Sequence, residues 1–345
     1  MIARLARFMD RSVLQIGYAT LPQSLWPEAA NERDLKLETA VQFLNGPDFI
    51  PVESQPAQLD FGPDASDGSF RFPTPRPCEF AENNVVHGRL NRCADAWQER
   101  PVIVLLHGGG DLPGHQFAFN LFAIHCRRAG FNTATLELPY HFQRRPRVYG
   151  RLELLRQYVP LISPDYLQMA ETYAQAVAEI RTLTGWFLAE GCPAVALLGV
   201  SLGAYLAGLT GSRDARLASI VMAIPGTRMG LMFSQAEPVV GRRGRELIRR
   251  RRAAGEELDR TPLNLTLGRP AIAKENVLLI EGRHDVMGWG APLELGQSWG
   301  QPEIWRLPHG HVSLGLTLLL PGLPDRVLRW LAPRLNNPTN RMQNK

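Results

Sequence analysis

The stretch Gly199-Val200-Ser201-Leu202-Gly203 decides how this chain is interpreted, because it lies between two segments of different character. Residues 194–198, just before it, are apolar and partly β-branched, which predicts a buried strand. Residues 204–209, just after it, can continue as a helix. A serine at such a sharp strand-to-helix turn has a strained backbone and an outward-pointing hydroxyl, and a Cβ at either flanking glycine would collide with neighbouring chain. Ser201 is therefore a candidate nucleophile.

Strands and helices alternate along most of the chain. Residues 1–45 look helical, and short strands are predicted near residues 70–72 and 85–90. Apolar strands are predicted at residues 102–106, 133–136, 194–198, 220–224, 277–280 and 303–307, and helices at residues 117–129, 163–190, 292–299 and 325–335. Continuous apolar strands between helices indicate a mostly parallel sheet covered on both faces. Ligands bind beyond the carboxyl ends of such strands, so each functional residue should follow a strand.

A glycine-rich loop, His107-Gly108-Gly109-Gly110-Asp111, directly follows the strand that ends at Leu106. Backbone N–H groups in this loop, at Gly109 and Gly110, could stabilise negative charge that develops on a substrate oxygen. The amide of Leu202, immediately after the nucleophile, would be the second donor. The loop could also be an ordinary turn or a phosphate cradle. A cradle is disfavoured because neither of the common glycine-rich phosphate-binding motifs fits these residues.

A candidate acid follows the strand at residues 277–280. Asp285 could hold a histidine in the required tautomer and stabilise its charged form. It could instead be a turn-forming aspartate that caps the next segment. Glu281 is the fallback, although its side chain is expected to belong to the sheet.

Two histidines, His309 and His311, compete for the role of general base after the strand that ends near Leu307. We favour His311, because Gly310 gives the loop freedom to direct the next residue. His107 is expected to support the glycine loop through hydrogen bonds. A His-x-His pair without a carboxylate or cysteine partner is thin evidence for a metal site, so neither a metal nor an organic cofactor is predicted.

The order Ser201, Asp285, His311, together with the glycine loop, resembles the α/β-hydrolase superfamily over residues 85–335. Residues 136–141 (LELPYH), 144–146 (RRP) and 310–313 (GHVS) are similar to the narrower family called α/β-hydrolase domain-containing type 18. The resemblance implies an α/β fold, with a mostly parallel central sheet flanked by helices. Two departures are expected: an N-terminal extension over residues 1–80, and a lid inserted at residues 225–273 of a hydrolase domain that spans residues 81–345.

The motifs together predict a serine hydrolase that cleaves a carboxylic ester or thioester through an acyl-enzyme, with a small-molecule acyl compound as substrate. One alternative is an acyltransferase or peptidase with the same three residues. Another is a non-catalytic scaffold that keeps the fold and uses its basic lid surface. Apolar side chains that could line an acyl pocket, or simply belong to the core, are Phe117, Tyr140, His141, Met229, Met232 and Phe233.

The charge balance adds a smaller constraint. The formal net charge is +5, and much of the excess comes from the arginine-rich run at residues 242–252. A solvated helix face is the simpler interpretation of this run, and a patch that attracts anionic partners is the alternative. Nucleic acid is disfavoured as a partner, because no recognisable nucleic-acid-binding module accompanies the run.

The remaining features concern location and partners. Four widely spaced cysteines indicate free thiols in a reducing compartment, and therefore a cytoplasmic location. Residues 1–21 lack the continuous apolar core of a signal peptide. Leu5, Phe8 and Met9 could form the apolar stripe of an amphipathic helix, which leaves weak peripheral membrane contact open. The sequence does not indicate an oligomeric state.

Overall fold

A computed structural model describes residues 2–19, 31–50, 58–62, 67–109, 113–147, 165–231, 237, 242–288, 290–317 and 322–336. The centre of the molecule is an eight-stranded sheet. Its strands are β1 (Ser69–Pro73), β2 (Val85–Asn91), β3 (Val102–Leu106), β4 (Asn132–Leu136), β5 (Val195–Val200), β6 (Ser219–Ala223), β7 (Val277–Gly282) and β8 (Glu303–Leu307).

The strands follow the spatial order β1-β2-β4-β3-β5-β6-β7-β8. Strand β2 runs antiparallel to both of its neighbours, and every other pair is parallel. The predicted fold class, a mostly parallel sheet flanked by helices, is therefore confirmed. Because β3 to β8 are parallel, the loops that follow them open on the same edge of the sheet.

The α-helices of the described residues lie on both sides of this sheet or extend from it. They are α1 (Ile2–Ala19), α2 (Asn31–Asn45), α3 (Pro113–Arg128), α4 (Tyr166–Ala189), α5 (Leu202–Gly211), α6 (Arg242–Leu258), α7 (Ala291–Ser298), α8 (His311–Thr317) and α9 (Leu323–Leu335). None of the described helices is both long and apolar enough to cross a lipid bilayer.

Two apolar cores form because successive side chains of a strand point to opposite faces of the sheet. In β3, Val104 and Leu106 belong to the larger core, whereas Ile103 and Leu105 belong to the smaller core on the other face. All of these side chains are completely buried. This double burial explains why the central strands have continuous apolar sequences rather than alternating ones.

The ends of several helices differ from the prediction. The predicted start of α4, at residues 163–164, lies outside the described residues. The helix itself begins at Tyr166 and is capped by Asp165, whose side chain accepts a hydrogen bond from the amide of Gln168. Helix α3 begins at Pro113, four residues before the predicted start. Gly130 and Gly191 directly follow the two helices predicted at residues 117–129 and 163–190, and both have positive φ angles, 80° and 100°, as is common for residues that end a helix.

The segments predicted as an extension and a lid contact the rest of the fold at several points. Strand β1 lies within residues 1–80 and pairs with β2, so that part of the extension completes the sheet. Helix α2 packs against α4, and α1 packs against α8. Helix α6, within the predicted lid, contacts α1 and α2. The domain boundaries at residues 80 and 225–273 remain predictions.

Candidate active site

Ser201 lies at the junction between β5 and α5, as the sequence predicts. Its backbone has φ 53° and ψ −112°, a conformation that non-glycine residues rarely adopt. Such a conformation costs about 1–3 kcal/mol and persists only where the surrounding structure enforces it. The amide of Ser201 donates to the carbonyl of Ala223, and its carbonyl accepts from the amide of Tyr205. The turn is therefore held on both sides.

The two glycines that flank this turn are required by close backbone contacts. A Cβ on Gly199 would overlap the backbone of Gly203, and a Cβ on Gly203 would overlap the carbonyl groups of Leu106 and His107. Helix α5 can therefore begin directly against the end of β3 only if both positions lack a side chain. The expectation that these positions must be glycine is confirmed.

A chain of hydrogen bonds links the hydroxyl, an imidazole and a carboxylate. The Oγ of Ser201 lies 2.8 Å from Nε2 of His311, and Nδ1 of His311 lies 2.8 Å from Oδ2 of Asp285. Ser201 follows β5, Asp285 follows β7, and His311 begins α8 after β8. The structure thus brings together three predicted residues that are far apart in the sequence. The arrangement can remove a proton from the hydroxyl and hold it on the imidazole.

The geometry of Asp285 is compatible with both of the roles considered for it. Its Oδ1 accepts hydrogen bonds from the amides of Met287 (2.7 Å) and Gly288 (2.9 Å), as expected of a turn-forming aspartate. Its Oδ2 is then directed at His311. The fallback residue, Glu281, is buried elsewhere and forms an ion pair with Arg306. The turn therefore aims the carboxylate of Asp285 at the imidazole.

The electrostatic environment favours a charged imidazole next to a charged carboxylate. Burial alone would lower the pKa of His311, but the charge and hydrogen bond of Asp285, with the charge of Asp10, raise that pKa above its ordinary value. Burial likewise opposes ionisation of Asp285, but the charge and hydrogen bond of His311 and two amide hydrogen bonds lower its pKa. An imidazolium would consequently be stabilised in this position.

His309, the competing histidine, is not a member of this hydrogen-bond chain. Its backbone carbonyl accepts from the amide of His284, and its own amide donates to the carbonyl of Leu307. Burial and the nearby His284 lower the pKa of its side chain. The histidine that is hydrogen-bonded to the hydroxyl of Ser201 is His311 and not His309.

The glycine loop is held by His107, which is buried. Its Nε2 accepts the amide proton of Leu138 (3.1 Å), so the ring proton is assigned to Nδ1, which lies 2.7 Å from the carbonyl oxygen of Gly108. The predicted supporting role of His107 is confirmed. Fixing this carbonyl also fixes the orientation of the peptide N–H of Gly109, because the two groups share one planar unit. Gly110 lies outside the described residues, and Leu202 is the first residue of α5.

The residues suggested for an acyl pocket are less informative. Phe117 is 59% exposed on α3, whereas Met229 is buried in the larger core. Tyr140 and His141 are also buried. Met232 and Phe233 lie outside the described residues. Among the residues that the structure describes, no group of three or more His, Cys, Asp or Glu side chains is arranged to hold a metal ion.

Comparison with known sequences supports the resemblance found in the motifs. The sequence model of the family described as alpha/beta hydrolase domain containing 18 matches residues 65–235. The fold of this chain is the α/β-hydrolase fold. An uncharacterized protein of Mycobacterium tuberculosis is 29% identical to this chain over 235 residues. That match covers 63% of this chain and 51% of the relative, so it spans about half the length of the relative.

Solved structures agree on the fold. This chain resembles acetyl xylan esterase 1 from Thermoanaerobacterium, with a TM-score of 0.56 and 14% identity over 90% of this chain and 95% of that one. It also resembles a hyperthermophilic esterase from Pyrobaculum calidifontis, with a TM-score of 0.51 and 13% identity over 97% and 98% of the two chains. At such low identity the likeness concerns the fold.

Two features near the candidate site escaped the sequence analysis. One is Asp10 of α1, whose carboxylate is buried against the start of α8. The other is a buried ion pair between Arg144 and Glu179. The only sequence signal for Asp10 is its position four residues after Ala6, which places it on the buried side of α1. Nothing in the sequence links Asp10 to His311, which lies 301 residues away.

Proposed function

We propose that this protein is a serine hydrolase that cleaves a carboxylic ester, or a thioester, through an acyl-enzyme. The observation that supports this most directly is the hydrogen-bond chain from Ser201 through His311 to Asp285, with both links at 2.8 Å. The α/β-hydrolase fold is consistent with this proposal, because the three hydrogen-bonded residues lie beyond the carboxyl ends of the parallel strands. The esterase names of the structural relatives agree with the proposal.

The first half of the reaction transfers the acyl group to the protein. The Oγ of Ser201 attacks the carbonyl carbon of the ester while its proton moves to Nε2 of His311. Asp285 keeps the imidazole oriented and stabilises its positive charge. The amides of Leu202 and of the glycine loop, at Gly109 and Gly110, donate to the oxygen of the tetrahedral intermediate. His311 then returns the proton to the departing alcohol.

The second half repeats these steps with water. His311 takes a proton from water as its oxygen attacks the acyl carbon, and the proton then passes to Oγ of Ser201 as the carboxylic acid leaves. No other proton acceptor is needed, because His311 is neutral again at the end of each half. An alcohol or amine in place of water would make the protein an acyltransferase.

A fluorophosphonate probe offers a direct test of this proposal, because it reacts only with a serine that has been activated by a base. We expect labelling of the folded protein at Ser201, identified by peptide mass spectrometry. Absence of labelling would favour the alternative in which the fold acts as a non-catalytic scaffold.

The two histidines provide a second test. His311→Ala should lower kcat for p-nitrophenyl ester hydrolysis by about 10⁴-fold or more, because the base is lost. His309→Ala, a matched change two residues away, should lower kcat by less than about tenfold. Steady-state kinetics of both purified variants would measure the difference. Equal losses would contradict the assignment, and a larger loss at His309 would reverse it.

We further propose that the outer face of α1 makes reversible contact with an anionic membrane surface. Leu5 and Phe8 are 58% and 68% exposed, and their spacing of three residues makes them neighbours on one face of the helix. Arg4, Arg7 and Arg11 are exposed on the same helix and could interact with acidic headgroups. The combination of apolar and cationic side chains is typical of helices that lie at membrane interfaces.

Flotation with vesicles would test this contact. We expect binding to vesicles that contain phosphatidylglycerol and weaker binding to pure phosphatidylcholine. Phe8→Ser should lower the vesicle partition constant by about tenfold or more, because about 1.5–3 kcal/mol of apolar burial is lost. Leu267→Ser is a suitable control, since Leu267 is 62% exposed in another part of the chain. Equal binding of both variants and the parent protein would contradict the proposal.

A further inference from the structure

Asp10 is a completely buried carboxylate on α1, a helix that contributes no residue to the hydrogen-bond chain of the site. Its oxygens accept three backbone hydrogen bonds. Oδ2 accepts from the amides of His311 (2.8 Å) and Val286 (3.3 Å), and Oδ1 accepts from the amide of Val312 (2.9 Å). All three donors belong to the two segments that carry the candidate base and acid.

The contact with His311 and Val312 replaces a missing helix cap. The first amides of a helix have no partner within the helix, and a side chain just before the helix usually accepts from one of them. Helix α8 begins at His311, and the residue before it is Gly310, which has no side chain to serve as a cap. Asp10 provides the acceptor from a distant part of the sequence.

Gly310 and Asp10 fit each other closely. A Cβ on Gly310 would lie 2.6 Å from Oδ2 and 2.9 Å from Oδ1 of Asp10, too close for real atoms. The glycine therefore makes room for the carboxylate. This is a different reason for glycine than the loop freedom that the sequence suggested.

The third backbone hydrogen bond, from the amide of Val286, connects Asp10 to the loop that carries Asp285. Val286 directly follows Asp285, and its amide donates to the same Oδ2 that accepts from the amide of His311. One oxygen thus joins the backbone of the acid loop to the backbone of the base. Asp10 therefore contacts both of the segments whose side chains form the His311–Asp285 hydrogen bond.

We propose that Asp10 is a positioning residue for the reaction, which holds His311 and the Asp285 loop in register so that the imidazole can reach Ser201. The inference rests on the proposed hydrolase function. Asp10 acts through backbone amides and forms no hydrogen bond with Ser201 or the imidazole ring. Helix α1 is therefore part of the active-site structure and not an appendage to the fold.

The charge of Asp10 should also affect the pH dependence of the reaction, which provides a second test of the positioning role. Burial and the nearby Asp285 raise the pKa of Asp10, while the amide hydrogen bonds lower it, and the net direction is upward. The charged groups that raise the pKa of His311 are Asp285 and Asp10. A neutral side chain at position 10 should therefore lower the pKa of His311. The acidic limb of the pH profile of kcat/KM would then move to lower pH.

Three variants test the proposal. Asp10→Ala should lower kcat by about 100-fold with a change in KM below about threefold, because the base is misplaced while the substrate still binds. Asp10→Asn keeps one acceptor oxygen and should lose about tenfold, with the acidic limb of kcat/KM shifted downward. Val13→Ala, at an exposed position on the same helix, is the control and should match the parent protein.

A double-mutant cycle with Gly310 adds a test that does not depend on Asp10 variants alone. Gly310→Ala should lower kcat in the parent protein, because its methyl group displaces the carboxylate. The same change in the Asp10→Ala background should have a much smaller additional effect, since the methyl group then occupies vacated space. Additive effects of the two changes would overturn the proposal. If Asp10→Ala does not fold, Asp10→Ser, which also vacates the space beside Gly310, takes its place in the cycle.

The outcomes separate this inference from the proposed function. A parent protein that neither hydrolyses esters nor reacts with a fluorophosphonate would refute the hydrolase function itself. A parent protein that is active, with an Asp10→Asn variant that has unchanged kcat and pH profile and only a lower melting temperature, would refute the positioning role and leave the function intact.

Discussion

Ser201→Ala is expected to abolish ester hydrolysis, with a loss in kcat of about 10⁶-fold. The hydroxyl oxygen forms the covalent bond to the acyl group in the proposed reaction, and alanine has no atom to replace it. The strained backbone at φ 53° also has no other evident purpose than to expose this side chain. Initial rates with p-nitrophenyl acetate and longer acyl esters would measure the loss.

A serine at the other end of the same helix provides the control. Ser212 is the residue that ends α5, and its Oγ donates to the carbonyl of Leu209. Ser212→Ala should keep kcat within about twofold of the parent protein, since it lies a whole helix away from the imidazole. A Ser201→Ala variant that retained a tenth of the activity would show that another group acts as nucleophile.

The sheet and its nucleophile turn could be predicted because their causes are local. Strands buried on both faces need continuous apolar sequences, and residues 102–106 therefore stand out. The turn at Ser201 needs glycine at both flanking positions, which leaves a recognisable five-residue pattern. The histidine was harder to choose, because His309 and His311 differ only in how the loop directs them.

The features that the sequence analysis missed depend on contacts between distant segments. Asp10 looks like an ordinary polar residue of an amphipathic helix until α8 is placed against it. The pair Ser163-Pro164 predicts a helix start at residues 163–164, because a hydroxyl followed by proline commonly begins a helix. Asp165 performs the capping in the structure. A local pattern offers several acceptable caps, and only the folded chain selects one.

A buried ion pair of α4 leads to the second large expected effect. Arg144 and Glu179 are completely buried, and the guanidinium donates two hydrogen bonds to the carboxylate, at 2.7 and 2.6 Å. The same guanidinium donates to the carbonyls of Glu137 and Asn83, and Thr74 donates to Glu179. The network therefore fixes the loop after β4, whose Leu138 amide donates to His107 of the glycine loop.

Glu179→Ala should lower the free energy of unfolding by about 3–5 kcal/mol, because it leaves the charge of Arg144 buried without its partner. Chemical denaturation followed by fluorescence would measure the change. Glu257→Ala removes the partner of an exposed ion pair with Arg260 and should cost no more than about 1 kcal/mol.

A double replacement separates the buried charge from the lost contacts. Arg144→Met combined with Glu179→Met removes both charges and keeps most of the volume, so stability should recover by several kcal/mol relative to Glu179→Ala. Glu179→Ala should also lower kcat, because the loop that supports the glycine loop loses its anchor. The double replacement should not restore kcat, because the methionine side chains cannot hold the carbonyls of Glu137 and Asn83 in place. Full recovery of kcat would mean that the network stabilises the fold without shaping the glycine loop. If stability does not recover, the loss in Glu179→Ala is caused by the missing hydrogen bonds of the network rather than by the unpaired charge of Arg144.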